Sequence, residues 1–167
     1  ERRLRLVQTA RALAIPILED DPYGRLRYSG TPAPTLYALS GGAGVLYTSS
    51  FSKILAPGVR LAWTAGDPET VRRMVLLRQG VDLCPAMVSQ ILVAEYCCRG
   101  HLDRHLPRIV AHYAVKRDSM AQALRASLPA GMAAFAVPEG GFFFWLELLQ
   151  QRARELFDAA LARDVAF

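Results

Sequence analysis

Ile15-Pro16-Ile17-Leu18 runs directly into Glu19-Asp20-Asp21. Four apolar residues are too few for a helix, so the run reads as a buried parallel strand with acids at its carboxyl end. In open α/β sheets that end is where ligands bind. The flanking sequence alternates as such a sheet requires. Residues 2–13 carry Leu4, Leu6, Val7, Ala10 and Leu13 as a helical stripe. Residues 24–35 form a loop rich in Gly, Pro, Ser and Thr. Residues 45–48 predict a second strand, and residues 60–65 a third, after the Pro57-Gly58 turn. Asp67 is placed to cap a helix that Pro68 opens. Residues 86–98 are apolar on most sides and predict a buried helix.

The pattern changes near residue 100. Leu106, Ile109, Val110, Tyr113, Met120, Leu124 and Leu128 recur at three- and four-residue steps, predicting a long amphipathic helix over 104–128 that Pro129 ends. Short strands over 133–137 and 142–148 are joined by Pro138-Glu139-Gly140-Gly141, and residues 151–163 return to a helical pattern. Val165-Ala166-Phe167 begins another strand. The expected fold class is α/β: a mostly parallel sheet flanked by helices over residues 1–100, then a linking helix and the start of an α+β unit over 101–167.

Composition excludes several classes of function. At 52% hydrophobic and 21% charged residues the chain is not disordered. No apolar run reaches the 18 or so residues of a membrane span, and Glu1-Arg2-Arg3-Leu4-Arg5 lacks the apolar core of a signal peptide, reading instead as an interior point of a longer chain. The net charge of +5 comes from arginines spread along the chain, whereas nucleic-acid binding needs a clustered face. Cys84, Cys97 and Cys98 have neither zinc-ligand spacing nor an even count. They read as small buried hydrophobes in a reduced, cytoplasmic setting.

Of the 20 basic residues only two are lysines, Lys53 and Lys116. A lysine is ordinarily a solvated charge. Lys53, however, lies in Ser50-Phe51-Ser52-Lys53, just past a strand and before apolar Ile54-Leu55-Ala56. A lysine in such surroundings can attack a carbonyl, and Schiff-base formation is the reaction that needs one. The acids 19–21 could hold a metal or simply end a strand, but no further metal ligands are near in sequence. A single carboxylate such as Asp20 beside a heterocyclic nitrogen would keep that nitrogen protonated. Tyr23 could hydrogen-bond a phenolic oxygen on the same ring. Arg60 with the hydroxyls of Ser50 and Ser52 could clamp a phosphate, although serines there also suit a turn. A lysine for an aldehyde, an acid for a pyridine nitrogen and a phosphate cup together describe pyridoxal 5′-phosphate chemistry.

At these residues the sequence resembles the fold-type I aminotransferases of class I/II, in the branch of aminoadipate, aromatic and kynurenine-type enzymes. The aminotransferase-like domains of MocR-type regulators share that branch. Three segments carry the likeness: Glu-Asp-Asp-Pro-Tyr-Gly (19–24) with Leu26-Arg27-Tyr28, Ser-Phe-Ser-Lys-Ile-Leu-Ala-Pro-Gly-Val-Arg-Leu-Ala-Trp (50–63), and Pro-Glu-Gly-Gly-Phe-Phe-Phe-Trp-Leu (138–146). The second is specific; the third alone would be weak.

The resemblance implies that Lys53 is the Schiff-base lysine, Asp20 the partner of the pyridine nitrogen and Tyr23 that of the ring hydroxyl. Ser50, Ser52 and Arg60 would be the phosphate binders. It further implies a large PLP-binding domain ending near residue 100, a small domain beginning after it, and a homodimeric parent. In the family, earlier sequence supplies the first strands of the sheet and an aromatic stacked on the ring. Later sequence supplies the arginine that grips the substrate carboxylate. The chain therefore resembles the middle of an aminotransferase, and by itself should be poorly active or inactive. Two functions stay open for the parent. One is transamination between an L-amino acid and a 2-oxo acid. The other is a PLP-binding effector domain of a MocR/GntR-type regulator, which would bind nucleic acid through a separate N-terminal domain. The Asp-Asp-Pro-Tyr-Gly wording lies nearer the enzymes.

Overall fold

The computed structural model describes residues 1–166. Helix α1 (Arg2–Ala12) leads into strand β1 (Ile17–Asp20). A loop and the short helix α2 (Leu36–Ser40) return the chain to strand β2 (Val45–Ser50). A 3-10 turn at Pro57–Val59 precedes strand β3 (Ala62–Ala65). Helices α3 (Pro68–Gln79) and α4 (Met87–Cys98) follow, then the 27-residue helix α5 (His101–Ser127). Strands β4 (Ala133–Phe135) and β5 (Leu146–Leu148) and helix α6 (Ala153–Leu161) complete the described chain. Of the strand expected at 165–167, Val165 and Ala166 lie in no strand and Phe167 lies outside the described residues.

The larger sheet has the order β1-β2-β3. β1 and β2 are parallel, with Asp20 opposite Thr48. β3 is antiparallel to β2, with Ala62 opposite Ser50. The short link from β2 to β3 carries no crossover helix, so the chain must turn back. The α/β class holds, with one antiparallel strand in the described sheet.

β1 begins two residues later than its apolar run suggests. Pro16 has no N–H to pair, and the ladder opens with Ile17 N–H donating to the Gly44 carbonyl at 2.9 Å. The strand is also not buried on both faces: Leu18 is 66% exposed. Asp67 caps α3 as expected, accepting from Thr70 N–H at 3.0 Å.

The core joins the two halves of the sequence. Leu26, Ile54, Leu102 and Leu106 form one buried cluster, with Tyr23, Phe51, Trp63 and Phe142 packed against it. A second joint lies in the backbone. Tyr28 N–H donates to the Glu139 carbonyl at 2.7 Å, and Gly141 N–H to the Leu26 carbonyl at 2.9 Å. Arg27 bridges to Gly140, and its guanidinium pairs with Glu139. Residues 138–141 are thus held by the loop after β1, which is why β4 and β5 pair only over Phe135–Leu146 to Ala133–Leu148 and stop short of the expected 137 and 142. A Cβ on Gly140 would lie 2.7 Å from the Leu26 carbonyl oxygen, and Gly141 has φ +76°. This turn therefore requires both glycines.

Two expectations of burial fail. α4 buries only Val93, while Met87, Val88, Ile91 and Leu92 are exposed. Cys84 and Cys98 are likewise exposed, and Cys97 is half-buried, where burial raises its thiol pKa. Apolar sequence predicts burial only where the fold supplies a partner surface. The chain exposes 12116 Å², against about 8,000 Å² for a self-contained globular protein of this mass. Among the described residues no helix is long and apolar enough to cross a membrane.

Candidate active site at the carboxyl edge of the sheet

The parallel pairing of β1 and β2 aligns their carboxyl ends. Strand alternation then separates the three acids, because successive side chains point to opposite faces. Glu19 is half-buried and turns to α2: its carboxylate accepts from the N–H groups of Leu36 at 2.9 Å and Tyr37 at 3.0 Å. It also lies 3.6 Å from Arg3. Asp21 leaves the strand and accepts from the Tyr47 hydroxyl at 3.2 Å. Its carbonyl accepts from Ser49 Oγ at 2.7 Å. Burial raises the Tyr47 pKa, so this phenol stays protonated as a donor.

Asp20 alone has its carboxylate on the open face. One oxygen, Oδ1, accepts from Thr48 Oγ1 at 3.1 Å. The triplet is therefore one free-facing acid between two structural ones. No group of three or more metal-ligating side chains occurs among the described residues.

Ser50 ends β2 on the same strand alternation as Thr48. The next residues turn back sharply: Leu55 N–H and Ala56 N–H both donate to the Phe51 carbonyl, at 2.9 and 3.1 Å. Ser52 and Lys53 lie in this turn, both half-buried. Ile54, which follows Lys53, is only 2% exposed and belongs to the core cluster. An apolar anchor one residue away fixes the backbone that carries the lysine. Lys53 makes no ion pair or hydrogen bond among the described residues, and the hydroxyls of Ser50 and Ser52 likewise take no partner there.

Arg60 stands where β3 begins, at the same edge because β3 is antiparallel. It is exposed and sits in the left-handed region, with φ 51° and ψ 40°. Non-glycine residues adopt that conformation at a cost of about 1–3 kcal/mol, and such strain concentrates at functional sites. Its Nη1 donates to the Pro57 carbonyl at 3.1 Å, which steadies the guanidinium over its own turn.

Tyr23 lies in the loop after β1, beside the joint to residues 138–141. Its ring meets Phe142 edge-on at 5.4 Å between centroids and Phe143 at 5.7 Å. Tyr113 of α5 packs on Phe142 at 4.4 Å. The Gly-Gly-Phe segment thereby positions a tyrosine more than a hundred residues away in sequence.

Topology thus gathers Asp20, Ser50, Ser52, Lys53 and Arg60 at one sheet edge, with Tyr23 in the adjoining loop. A cleft of about 790 Å³ opens beside that edge, lined by Asp20, Glu19, Asp21, Leu36 and arginines of α1. Of the candidate residues only Asp20 lines it; Tyr23, Ser50, Ser52, Lys53 and Arg60 do not. Sequence reasoning missed Thr48 and the two phenylalanines that touch Tyr23. Thr48 has a signal in hindsight, since Leu46, Thr48 and Ser50 alternate along β2. Its partner becomes visible only once strand register is known.

A family model described as aminotransferase class I and II matches residues 3–166. Aromatic-amino-acid aminotransferase 1 of Thermococcus litoralis is 40% identical over 168 residues, covering 100% of this chain and 40% of that protein. The structure of a kynurenine aminotransferase from Pyrococcus horikoshii, in complex with PMP and with KYN and KYA as substrates and products, superposes with a TM-score of 0.90 at 38% identity. That match covers 99% of this chain and 41% of that one. An uncharacterized HTH-type transcriptional regulator of Bacillus subtilis is 28% identical over 166 residues, covering 99% of this chain and 34% of that protein. The chain therefore spans about two fifths of the length of the enzymes it matches.

Proposed function

The chain belongs to the class I and II aminotransferase family, and from that premise we propose that the protein containing it transfers an amino group between an L-amino acid and a 2-oxo acid, with pyridoxal 5′-phosphate as cofactor. The observation that best supports this reading is the sheet edge itself. Among the described residues it brings together a lysine and two hydroxyls without partners, one acid with an outward carboxylate and a strained arginine, a donor and acceptor set that suits the cofactor.

In this reading Lys53 Nζ would hold the cofactor by its aldehyde, and its amine would serve as general base and acid at the substrate α-carbon. Asp20 would keep the pyridine nitrogen protonated, and the Tyr23 hydroxyl would face the ring oxygen. Ser50, Ser52 and Arg60 would hold the phosphate, Arg60 through a charge-assisted bond. When bound, the cofactor supplies the electron sink that a side chain cannot.

The division into a large-domain part (1–100) and a linking helix with the start of a small domain (101–167) belongs to this reading. So do a cytoplasmic setting and a homodimeric parent. The regulator relative supports a second reading, in which the same edge binds an amino compound without converting it.

The visible spectrum of the cofactor-loaded full-length protein separates these outcomes. Lys53→Ala should abolish both the visible band and transamination. A band that survives the substitution overturns the assignment of Lys53. A band that shifts with amino acids, but yields no 2-oxo acid product, favours the regulator.

A further inference from the structure

β1 and β2 are in parallel register, and Asp20 and Thr48 are partners in it. Their side chains share one face of the sheet, and Thr48 Oγ1 donates to Asp20 Oδ1 at 3.1 Å. The neighbouring acids cannot take this role, because Glu19 is committed to α2 and Asp21 to Tyr47. We propose that Thr48 is a positioning residue: its hydroxyl occupies Oδ1 of Asp20 and so aims Oδ2 at the cofactor's ring nitrogen. This rests on the transaminase reading above and deepens it.

The physical argument is one of rotation. A carboxylate on an exposed strand end turns freely about its Cβ–Cγ bond and presents either oxygen to water. Asp20 is exposed, and among the described residues Thr48 is the only group that hydrogen-bonds its carboxylate. A donor from the adjacent strand removes that freedom, because strand pairing fixes the distance between the two α-carbons. Threonine suits the role doubly: its branched Cβ favours a strand and restricts χ1, so the hydroxyl direction is set by the backbone. A hydrogen bond to a charged group is worth about a factor of ten in an equilibrium constant. That is the effect expected on cofactor retention.

The test uses the full-length protein loaded with pyridoxal 5′-phosphate, with the cofactor dissociation constant measured by equilibrium dialysis. Thr48→Val keeps the shape and the strand preference while deleting the hydroxyl. It should weaken cofactor binding about ten-fold and lower kcat with little change in KM. Thr48→Ser restores the hydroxyl without the methyl group and should return to within about two-fold of the parent. Should Thr48→Val fold poorly, the pair Thr48→Ala and Thr48→Ser differs by the hydroxyl alone and gives the same comparison. Retention by Thr48→Val equal to the parent's, or a Thr48→Ser variant as weak as Thr48→Val, overturns the inference. Lys53→Ala run in parallel tells the two failures apart. If it loses the visible band while Thr48→Val behaves as the parent, only the role of Thr48 fails. If it keeps the band, the transaminase reading fails first.

Discussion

The layer behind the sheet edge and the α3–α4 stretch both carry apolar residues, yet they end in opposite situations. Behind the edge, Leu26 and Ile54 are buried against Leu102 and Leu106, and residues 26–28 are bonded to 139–141. On α3 and α4, Leu77 is 73% exposed, Val88 69% and Leu92 64%. The first region is held by contacts internal to these residues. The second has helix caps, such as Asp67, and surface ion pairs such as Arg78–Asp82, which contribute little on their own. Side chains at the edge are placed by register and by a core, and can therefore serve chemistry. On α4, Val93, Tyr96 and Cys97 face the core, while Met87, Val88, Ile91 and Leu92, like Leu77 of α3, stay exposed in the described chain.

Substitutions can break this comparison. The largest effect is expected within the acid triplet, in the full-length protein. Asp20→Ala should lower transamination by about 100-fold or more while leaving stability nearly unchanged. Glu19→Ala should do the reverse, leaving two helix N–H groups without their acceptor at a cost of about 1–3 kcal/mol. Steady-state rates and urea unfolding of the two variants check this, and equal losses of activity would remove the distinction between the acids. Next comes the joint. Gly140→Ala drives a methyl group into the Leu26 carbonyl and should cost about 2–3 kcal/mol by the same unfolding measurement. A neutral result would mean that residues 138–141 are not bound to the loop as described. The smallest effect is expected on the exposed helices. Leu77→Arg and Ile91→Arg in the 167-residue chain should change its stability by less than about 0.5 kcal/mol. A loss of several kcal/mol would show these side chains to be buried, contrary to the comparison.

Much of this was legible from sequence, and the gaps have physical causes. Asp67 with Pro68 announced α3, because capping is local chemistry. The motif around Lys53 announced where β2 ends, because strand, serines and lysine are contiguous. Strand limits were less legible. The outer ends of β4 and β5 are set by the loop after β1, a partner more than a hundred residues away. The burial of α4 was misjudged because periodicity reports which faces are apolar, not what covers them. The division of labour among Glu19, Asp20 and Asp21 needed the register of β1 on β2, and the same is true of Thr48. Tyr23 stands out in its motif, but its contacts with Phe142 and Phe143 exist only in the assembled fold.

The central claim is that this edge binds pyridoxal 5′-phosphate through Lys53. Borohydride reduction of the loaded full-length protein, followed by peptide mapping, tests it most directly, because reduction fixes any amine bonded to the cofactor's aldehyde. The account predicts a pyridoxyl group on the peptide that contains Lys53, and its absence after Lys53→Ala. A label carried by Lys116 or any other lysine, or no stable label at all, would contradict it.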